Sequence, residues 1–511
     1  AGPAAPAEVP VGLRAVAPAD PAGPPTSVGS LDPTDPAGMR IDFTLNGAGI
    51  TRIAFADIWE TAEARRQAAA YQSAGGPSQS EVEPPDESLR YVLAQARVLR
   101  NSRFGTAGTT IPELAASQLI VDGAPVSLLR TDTELEQGLE PVWSEMAPGR
   151  FETVIVDADG EALLRVERTY ELAGNYDVRL RQRLISLVDR PLDVRWWQFG
   201  PGDLRVDRAR YMDRRRYRFG VGVAASGGGL VLQAPSGSGG LIEHQSLEKR
   251  EEARVWPSAA AQERSWDLSW FAVTNRYFGF AVHPPIGTDV TGPLTLEDRV
   301  EQIIHEKSFA PARVGERARV EEIFVYLASP MRTVPAGETL ELDLGVFAGP
   351  LDRDVLTEDE RYTTLRMDGM ILYQMSAFCA ICTFQWLARL LLAFLDVLHD
   401  NVLFDWGLAI IVLVLVVRTL LHPITKKSQV GMQRFGKAMQ AMRPEMEKLQ
   451  KKYKDDPKRM QMEQVRLMRE HGVSPMQALG CLPMFLQTPI WIALYAMLYF
   501  AFDLRQEAAF F

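Results

Sequence analysis

Hydrophobic and polar positions follow two different periods along this chain, and the change falls near Met370. Before it, apolar residues recur at every second position in short runs. Ile41, Phe43 and Leu45 alternate with Arg40, Asp42 and Thr44 ahead of an Asn46-Gly47 turn. Tyr176, Val178 and Leu180 fall on one side of a run whose other side is Asp177, Arg179 and Arg181. A period of two is the mark of a strand with one buried face. Phe151–Val156 and the run resuming at Leu163 flank Asp157-Ala158-Asp159-Gly160, which predicts a hairpin with an acidic turn. Further strands are predicted at Trp266–Thr274, Phe278–His283, Val320–Leu327 and Leu340–Phe347. Short helices are predicted at Glu60–Tyr71 and Glu87–Ala94. The fold expected for residues 39–369 is a large antiparallel β-sandwich.

After Met370 the period becomes helical. Residues 370–400 are apolar with polar breaks at Gln374, Gln385, Arg389 and Asp396 on one narrow stripe, which predicts a helix lying flat at a membrane interface. Residues 402–424 centre on WGLAIIVLVLVVRTLL, closed by His422-Pro423, and read as a membrane-spanning helix. Its only charge inside the apolar run is Arg418. An arginine at mid-span costs roughly 2.5–3.5 kcal/mol on insertion scales, so it either snorkels to the basic interface beside it or faces a wet recess. Residues 425–472 carry Met432, Phe435, Met439, Met442, Met446, Leu449 and Tyr453 at 3-4 spacing, then an Asp455-Asp456-Pro457 turn with Asp456 as the cap of a second helix and Pro457 at its first position, then Met462, Val465 and Met468. That pattern predicts a coiled-coil hairpin, bent at Pro444. Residues 473–502 carry no charge and form a second predicted span, with Gln487 and Thr488 between Pro483 and Pro489. Prolines free backbone carbonyls, and polar side chains beside them fit a helix lining a wet groove. Trp491, Tyr495 and Tyr499 fit an interfacial belt equally well. Residues 503–511 begin an outer loop.

Composition changes this picture in one respect. The chain is 46% hydrophobic overall, yet the part before Met370 is acidic, while Lys426–Glu470 holds thirteen Lys or Arg against six Asp or Glu. The excess of basic residues beside a span places that segment in the cytoplasm and the large domain outside. Residues 1–38 are rich in Pro, Ala and Gly and read as an extended linker, which leads us to expect a segment upstream of it. Cys379, Cys382 and Cys481 all lie in the apolar third, so no disulfide holds the outer domain, and the C-x-x-C reads as packing. The six His are scattered and no catalytic or phosphate-binding motif is present. Gly220–Gly222 and Gly227–Gly229 read as flexible turns, and Arg214–Arg218 as a solvated basic strand face. No cofactor, metal, small-molecule substrate or enzymatic activity is expected.

Three stretches recur in a fixed order: WGLAIIVLVLVVRTLLHPITKKSQ, MRPEMEKLQKKY and SPMQALGCLPMFLQTPIWIALYAML. Together they resemble the YidC/Oxa/Alb membrane-insertase family, whose bacterial branch carries a large outer β-sandwich. A weaker likeness extends to SWFAVTNRYFGFAV and LDLGVFAGPLDRDV. The resemblance implies a core of five helices around a hydrophilic groove, of which this chain carries the first two, and hence further segments at both ends. It implies that Arg418 is the groove arginine and that Gln487, Thr488, Pro489 and Trp491 belong to the groove motif of the next helix, with Val414 where some members have a polar residue. It implies a cytoplasmic hairpin whose Lys426, Lys427, Arg434, Lys437, Lys451 and Lys452 dock a ribosome or signal recognition components. The implied function is a multi-pass insertase and chaperone of the bacterial inner membrane, with its large domain in the periplasm. It would act on nascent membrane proteins alone or with the Sec translocon. The alternative is a membrane-anchored periplasmic carbohydrate-binding or scaffold protein. A channel or transporter would need paired intramembrane charges or repeat symmetry, and one arginine in two spans offers neither.

Overall fold

The computed structural model describes the chain from Gly12 to Arg505, apart from residues 19–24, 33–34, 36, 75–84, 101–107, 175, 207–214, 288–291, 310–319, 374–383, 404, 454–455, 471–481 and 503. Cys379, Cys382, Cys481, Gln374, Arg214 and most of the predicted linker therefore lie outside the described residues. The chain divides into two units, Ala1–Leu372 and Tyr373–Phe511.

The first unit is built on two large antiparallel sheets. The larger runs Arg14–Val16, Arg150–Val156, Ala162–Leu172, Asp177–Ser186, Leu344–Pro350, Phe278–His283, Asp267–Thr274, Arg216–Ala224 and Leu230–Gln233. The other runs Arg254–Trp256, Gln302–Phe309, Val320–Ala328, Leu192–Phe199, Ala116–Val121 and Ala124–Ser127. A smaller sheet of Ser27–Gly29, Met39–Thr44, Gly49–Trp59 and Arg90–Gln95 adds to them. The predicted strands are present, with Leu340–Phe347 split into Thr339–Glu341 and Leu344–Pro350. The turn at Asn46-Gly47 needs the left-handed backbone at Gly47, whose φ is +69°. The helix at Ala62–Ser73 is capped by Thr61, whose side chain accepts from the Ala64 amide. Glu87–Ala94 differs from expectation: a 3-10 turn at Glu87–Leu89 leads into the strand Arg90–Gln95. Its Tyr91, Leu93 and Ala94 are buried against the neighbouring strand, so sheet packing overrides a weak helical pattern.

Two of the buried polar clusters described in this unit bear on its stability. In Ala162–Leu172 the inward positions are Leu164, Val166, Arg168 and Tyr170, so strand alternation carries an arginine into the core. Arg168 is fully buried, and its guanidinium donates to the carbonyls of Gly47 (2.9 Å), Ala48 (3.2 Å) and Leu114 (2.7 Å) and to Gln198 Oε1 (3.4 Å). Desolvation lowers its pKa, and the three carbonyls answer the charge without a carboxylate. The second feature centres on Asp203, also fully buried. It accepts from His244 Nε2 at 2.7 Å, from Arg215 at 3.0 Å, from the Ile323 amide at 2.9 Å and from the Tyr217 hydroxyl. Burial raises its pKa, but the His244 hydrogen bond and the cations around it outweigh burial and bring it to about 2.

The basic run is therefore not a solvated face. Arg215, Arg216 and Arg218 are all buried. Arg218 donates to the carbonyls of Pro235 (3.1 Å) and Gly369, and desolvation with Arg216 beside it lowers its pKa to about 9. Partners distant in sequence, Asp203 and the 235 and 369 carbonyls, draw these side chains inward. Local pattern carries no trace of them.

The second unit is helical. Gln385–Leu398 is followed by a π-helical turn at His399–Leu403, the long helix Trp406–Lys452, the hairpin helix Pro457–Glu470 and the proline-bearing helix Leu482–Phe500. The expected stop at His422-Pro423 does not occur: the backbone stays helical through both Pro423 and Pro444 over 47 residues. A proline removes one backbone donor and crowds the preceding turn, which costs about 3 kcal/mol, but its φ matches the helix. Beside Pro423 the hydroxyls of Thr419 and Thr425 bond back to the carbonyls of Leu415 and Leu421, each at 2.8 Å.

Candidate functional site

Trp406–Pro423 is, among the described residues, the one helix long and apolar enough to cross a membrane. At 1.5 Å per residue its 18 residues reach about 27 Å, close to the thickness of a hydrocarbon core. Asp405 caps its start, accepting from the Leu408 amide at 2.8 Å. The His399 and Trp406 rings stack there with centroids 4.0 Å apart. Ala409 and Leu413 are buried, whereas Leu408, Ile411, Leu415 and Leu420 are exposed.

The proline-bearing helix turns Ala493, Ala496 and Met497 inward, with Leu494 and Phe500 beside them. It packs against Gln385–Leu398, whose inward face is Ala388, Leu391, Leu392 and Leu395. Alanines at both faces let the backbones approach closely, the device that membrane helices use where apolar burial alone gives no gain. The outward stripe of the proline-bearing helix is Thr488, Trp491 and Tyr495, spaced by three and four residues. Arg418 of the long helix reaches this stripe: its guanidinium carbon lies 5.6 Å from the centre of the Trp491 ring. Both side chains are exposed on the protein surface.

The structure thus brings Arg418 and Trp491 together, with Thr488 on the same stripe and Pro489, half-buried, between them in sequence. For Gln487 the helical backbone is described and the side chain is not. Tyr495 belongs to the stripe and is exposed, whereas Tyr499, one turn further on, is buried. The signal for it was the i,i+4 spacing from Trp491. Val414 is half-buried.

On the basic segment, Lys426, Lys437, Lys451 and Lys452 are exposed, and the Lys452 ammonium lies 5.4 Å from the Tyr453 ring centre. The side chains of Lys427 and Arg434 fall outside the described residues. Asp456 caps the hairpin helix as its sequence predicts, accepting from the Arg459 amide at 3.1 Å. Met442 is buried, with Met446, Leu449 and Tyr453 half-buried, along the predicted seam. The facing helix differs: Met462 and Val465 are exposed, and the half-buried positions are Met460, Glu463, Gln464 and Leu467. Both sets fit a 3-4 pattern, so the sequence period alone does not choose between them. The side chains of Met432, Phe435, Met439 and Met468 fall outside the described residues.

Residues 397–511 match the family described as 60Kd inner membrane protein. The "Membrane protein insertase YidC" of Anaeromyxobacter sp. (strain K) is 34% identical over 255 residues, 48% of this chain and 38% of that protein. The protein of the same name from Chlorobium luteolum is 26% identical over 351 residues, 67% of this chain and 49% of its own length. The chain thus spans less than half the length of these relatives. Among solved structures, a galactose mutarotase related enzyme from Lactobacillus acidophilus aligns with 63% of this chain and 96% of its own, at 9% identity and a TM-score of 0.33, a similarity at which neither activity nor substrate transfers. The motifs around Arg418 and Trp491 lie inside the matched segment, so it is this C-terminal part of the chain that is similar to the 60Kd inner membrane protein family.

Proposed function

We propose that the chain is the outer domain and first core helices of a membrane protein insertase and chaperone of the bacterial inner membrane. Nascent membrane proteins are its substrates and the lipid bilayer receives them. The observation that carries this reading is the meeting of Arg418, on the apolar long helix, with the Thr488–Trp491–Tyr495 stripe of the helix beside it. A fixed positive charge in a recess of low dielectric attracts the acidic or polar tail of a substrate far more strongly than the same charge in water. The substrate's own apolar segment then passes into lipid, and its burial drives the step without nucleotide or covalent chemistry.

In this reading Leu482–Phe500 is a second span, with Gln487, Thr488 and Pro489 supplying polar groups to the groove. The two-sheet unit is a periplasmic sandwich. Lys426–Glu470 stays in the cytoplasm by its excess of basic residues. There, Lys426, Lys427, Arg434, Lys437, Lys451 and Lys452 receive a ribosome or signal recognition components, and larger substrates are shared with the Sec translocon. An anchored carbohydrate-binding protein would leave both Arg418 and the basic hairpin without a task.

The test is reconstitution of the full-length protein in liposomes with a small substrate carrying an acidic tail, scored by protection from protease. Protection that falls in Arg418→Ala supports the insertase and its groove charge together. Protection unchanged by the substitution removes Arg418 from the mechanism, and no protection with any substrate overturns the reading.

A further inference from the structure

Between Arg218 and Glu243 no residue carries a charge, in a chain of which 23% is charged. The structure makes this stretch an edge of the larger sheet. Arg216–Ala224 pairs with Leu230–Gln233, and nothing beyond Leu230–Gln233 continues the sheet among the described residues. The tip is Ala225–Gly229, with Gly228 and Gly229 in the left-handed region at φ +84° and +89°. Leu230 is 36% exposed and Val231 48%, and the tip residues Ser226–Gly229 are exposed as well. Soluble proteins guard such an edge with lysines, inward charges or proline, because open strand edges recruit other chains. This edge has none of these between Ala224 and Gln233.

The root of the hairpin is fixed. Buried Arg218 donates to Pro235 and to Gly369, and a Cβ on Gly369 would come within 2.2 Å of the Ala234 Cβ. Gly369 lies just before the apolar stretch that leads to Gln385–Leu398. The charge-free edge is therefore anchored to the very segment by which the chain leaves the two-sheet unit.

We propose that the Val223–Gln233 hairpin is a lipid-contacting element that rests its tip in the headgroup region of the outer leaflet, holding the two-sheet unit on the bilayer. The absence of charge, the small and apolar tip, and the root beside the chain's exit toward its membrane helices favour a lipid surface over a protein partner. Unpaired strand amides and carbonyls are costly in hydrocarbon, so the hairpin stays at headgroup depth, where water completes them. The inference rests on the membrane placement of the long helix given above.

The experiment uses the full chain with Cys379, Cys382 and Cys481 replaced by serine. Single cysteines are placed at Val231, at Leu415 of the long helix and at Asp159 of the acidic turn. Each carries an environment-sensitive fluorophore, in vesicles of phosphatidylethanolamine and phosphatidylglycerol. Val231→Cys is a small change at an exposed site. Quenching is read with lipids bearing a nitroxide at the headgroup or at mid-chain. Expected is quenching at Val231 stronger from the headgroup nitroxide than from the mid-chain one, quenching at Leu415 from mid-chain, and none at Asp159. Quenching at Leu415 without quenching at Val231 overturns the hairpin's role and leaves the membrane reading intact. Energy transfer between Val231 labels on separate copies, without lipid quenching, assigns the edge to self-association and also overturns it. No quenching at Leu415 removes the membrane reading and the inference with it.

Discussion

The guanidinium of Arg418 sits 5.6 Å from the ring centre of Trp491, on a neighbouring helix of the same unit. A cation over an aromatic face gains about 0.5–1 kcal/mol when exposed and about 2 when desolvated. In the recess proposed above the second figure would apply, and Trp491 would hold Arg418 in one place. Trp491→Leu is expected to lower insertion of acidic-tailed substrates about tenfold, the equivalent of 1.4 kcal/mol, and Trp491→Phe by less. Initial rates of protease protection measure this. An effect of Trp491→Leu that persists in the Arg418→Ala background would show that the indole acts by another route.

Arg168 is a fully buried charge held by three backbone carbonyls. Arg168→Ala leaves the carbonyls of Gly47, Ala48 and Leu114 without this donor and opens a cavity. Breaking such an arrangement costs about 3–5 kcal/mol, and Arg168→Lys, which keeps the charge but not the fork, falls between. Urea denaturation followed by tryptophan fluorescence ranks the three proteins. Equal midpoints would mean that water satisfies those carbonyls.

Asp203 sets an acid limit on the same unit. Its folded pKa, about 2, lies below the ordinary 3.8, so its contribution is complete above about pH 4 and is lost as pH falls toward 2. The shift corresponds to about 2 kcal/mol. Acid titration of the near-ultraviolet circular dichroism signal is expected to show cooperative loss in that window. Asp203→Asn is expected to be less stable at neutral pH and to lose this part of the acid dependence.

Asp405 begins the long helix, and its side chain holds the Leu408 amide at 2.8 Å. Asp405→Ala is expected to cost about 1 kcal/mol, and Asp405→Asn much less, because either oxygen can accept. Thermal inactivation in detergent, compared across the two variants, separates the cap from the charge.

Much of this was legible before any coordinates. Strand alternation located Phe278–His283 to the residue, and the Asp456 cap followed from its position before a proline. Motif order singled out Arg418 and Trp491 separately, but not their meeting, since no local pattern links residues on different helices. Long-range contacts were beyond reach for the same reason. Arg215 and Arg218 look like a wet basic face until Asp203 and the carbonyls of Pro235 and Gly369 are brought beside them. The phase of Pro457–Glu470 was ambiguous because Met462 with Val465 and Met460 with Leu467 fit one period equally.

The long helix has a mechanical meaning. Because its backbone does not break at Pro423, about 50 Å of continuous helix joins Arg418 to Lys452. A rod of that kind keeps its two ends in one rigid frame, so the orientation of the basic end and that of the arginine are tied together. The two prolines choose the plane in which the rod bends most easily. Anything that fixes the hairpin therefore also fixes the direction from which the guanidinium is presented.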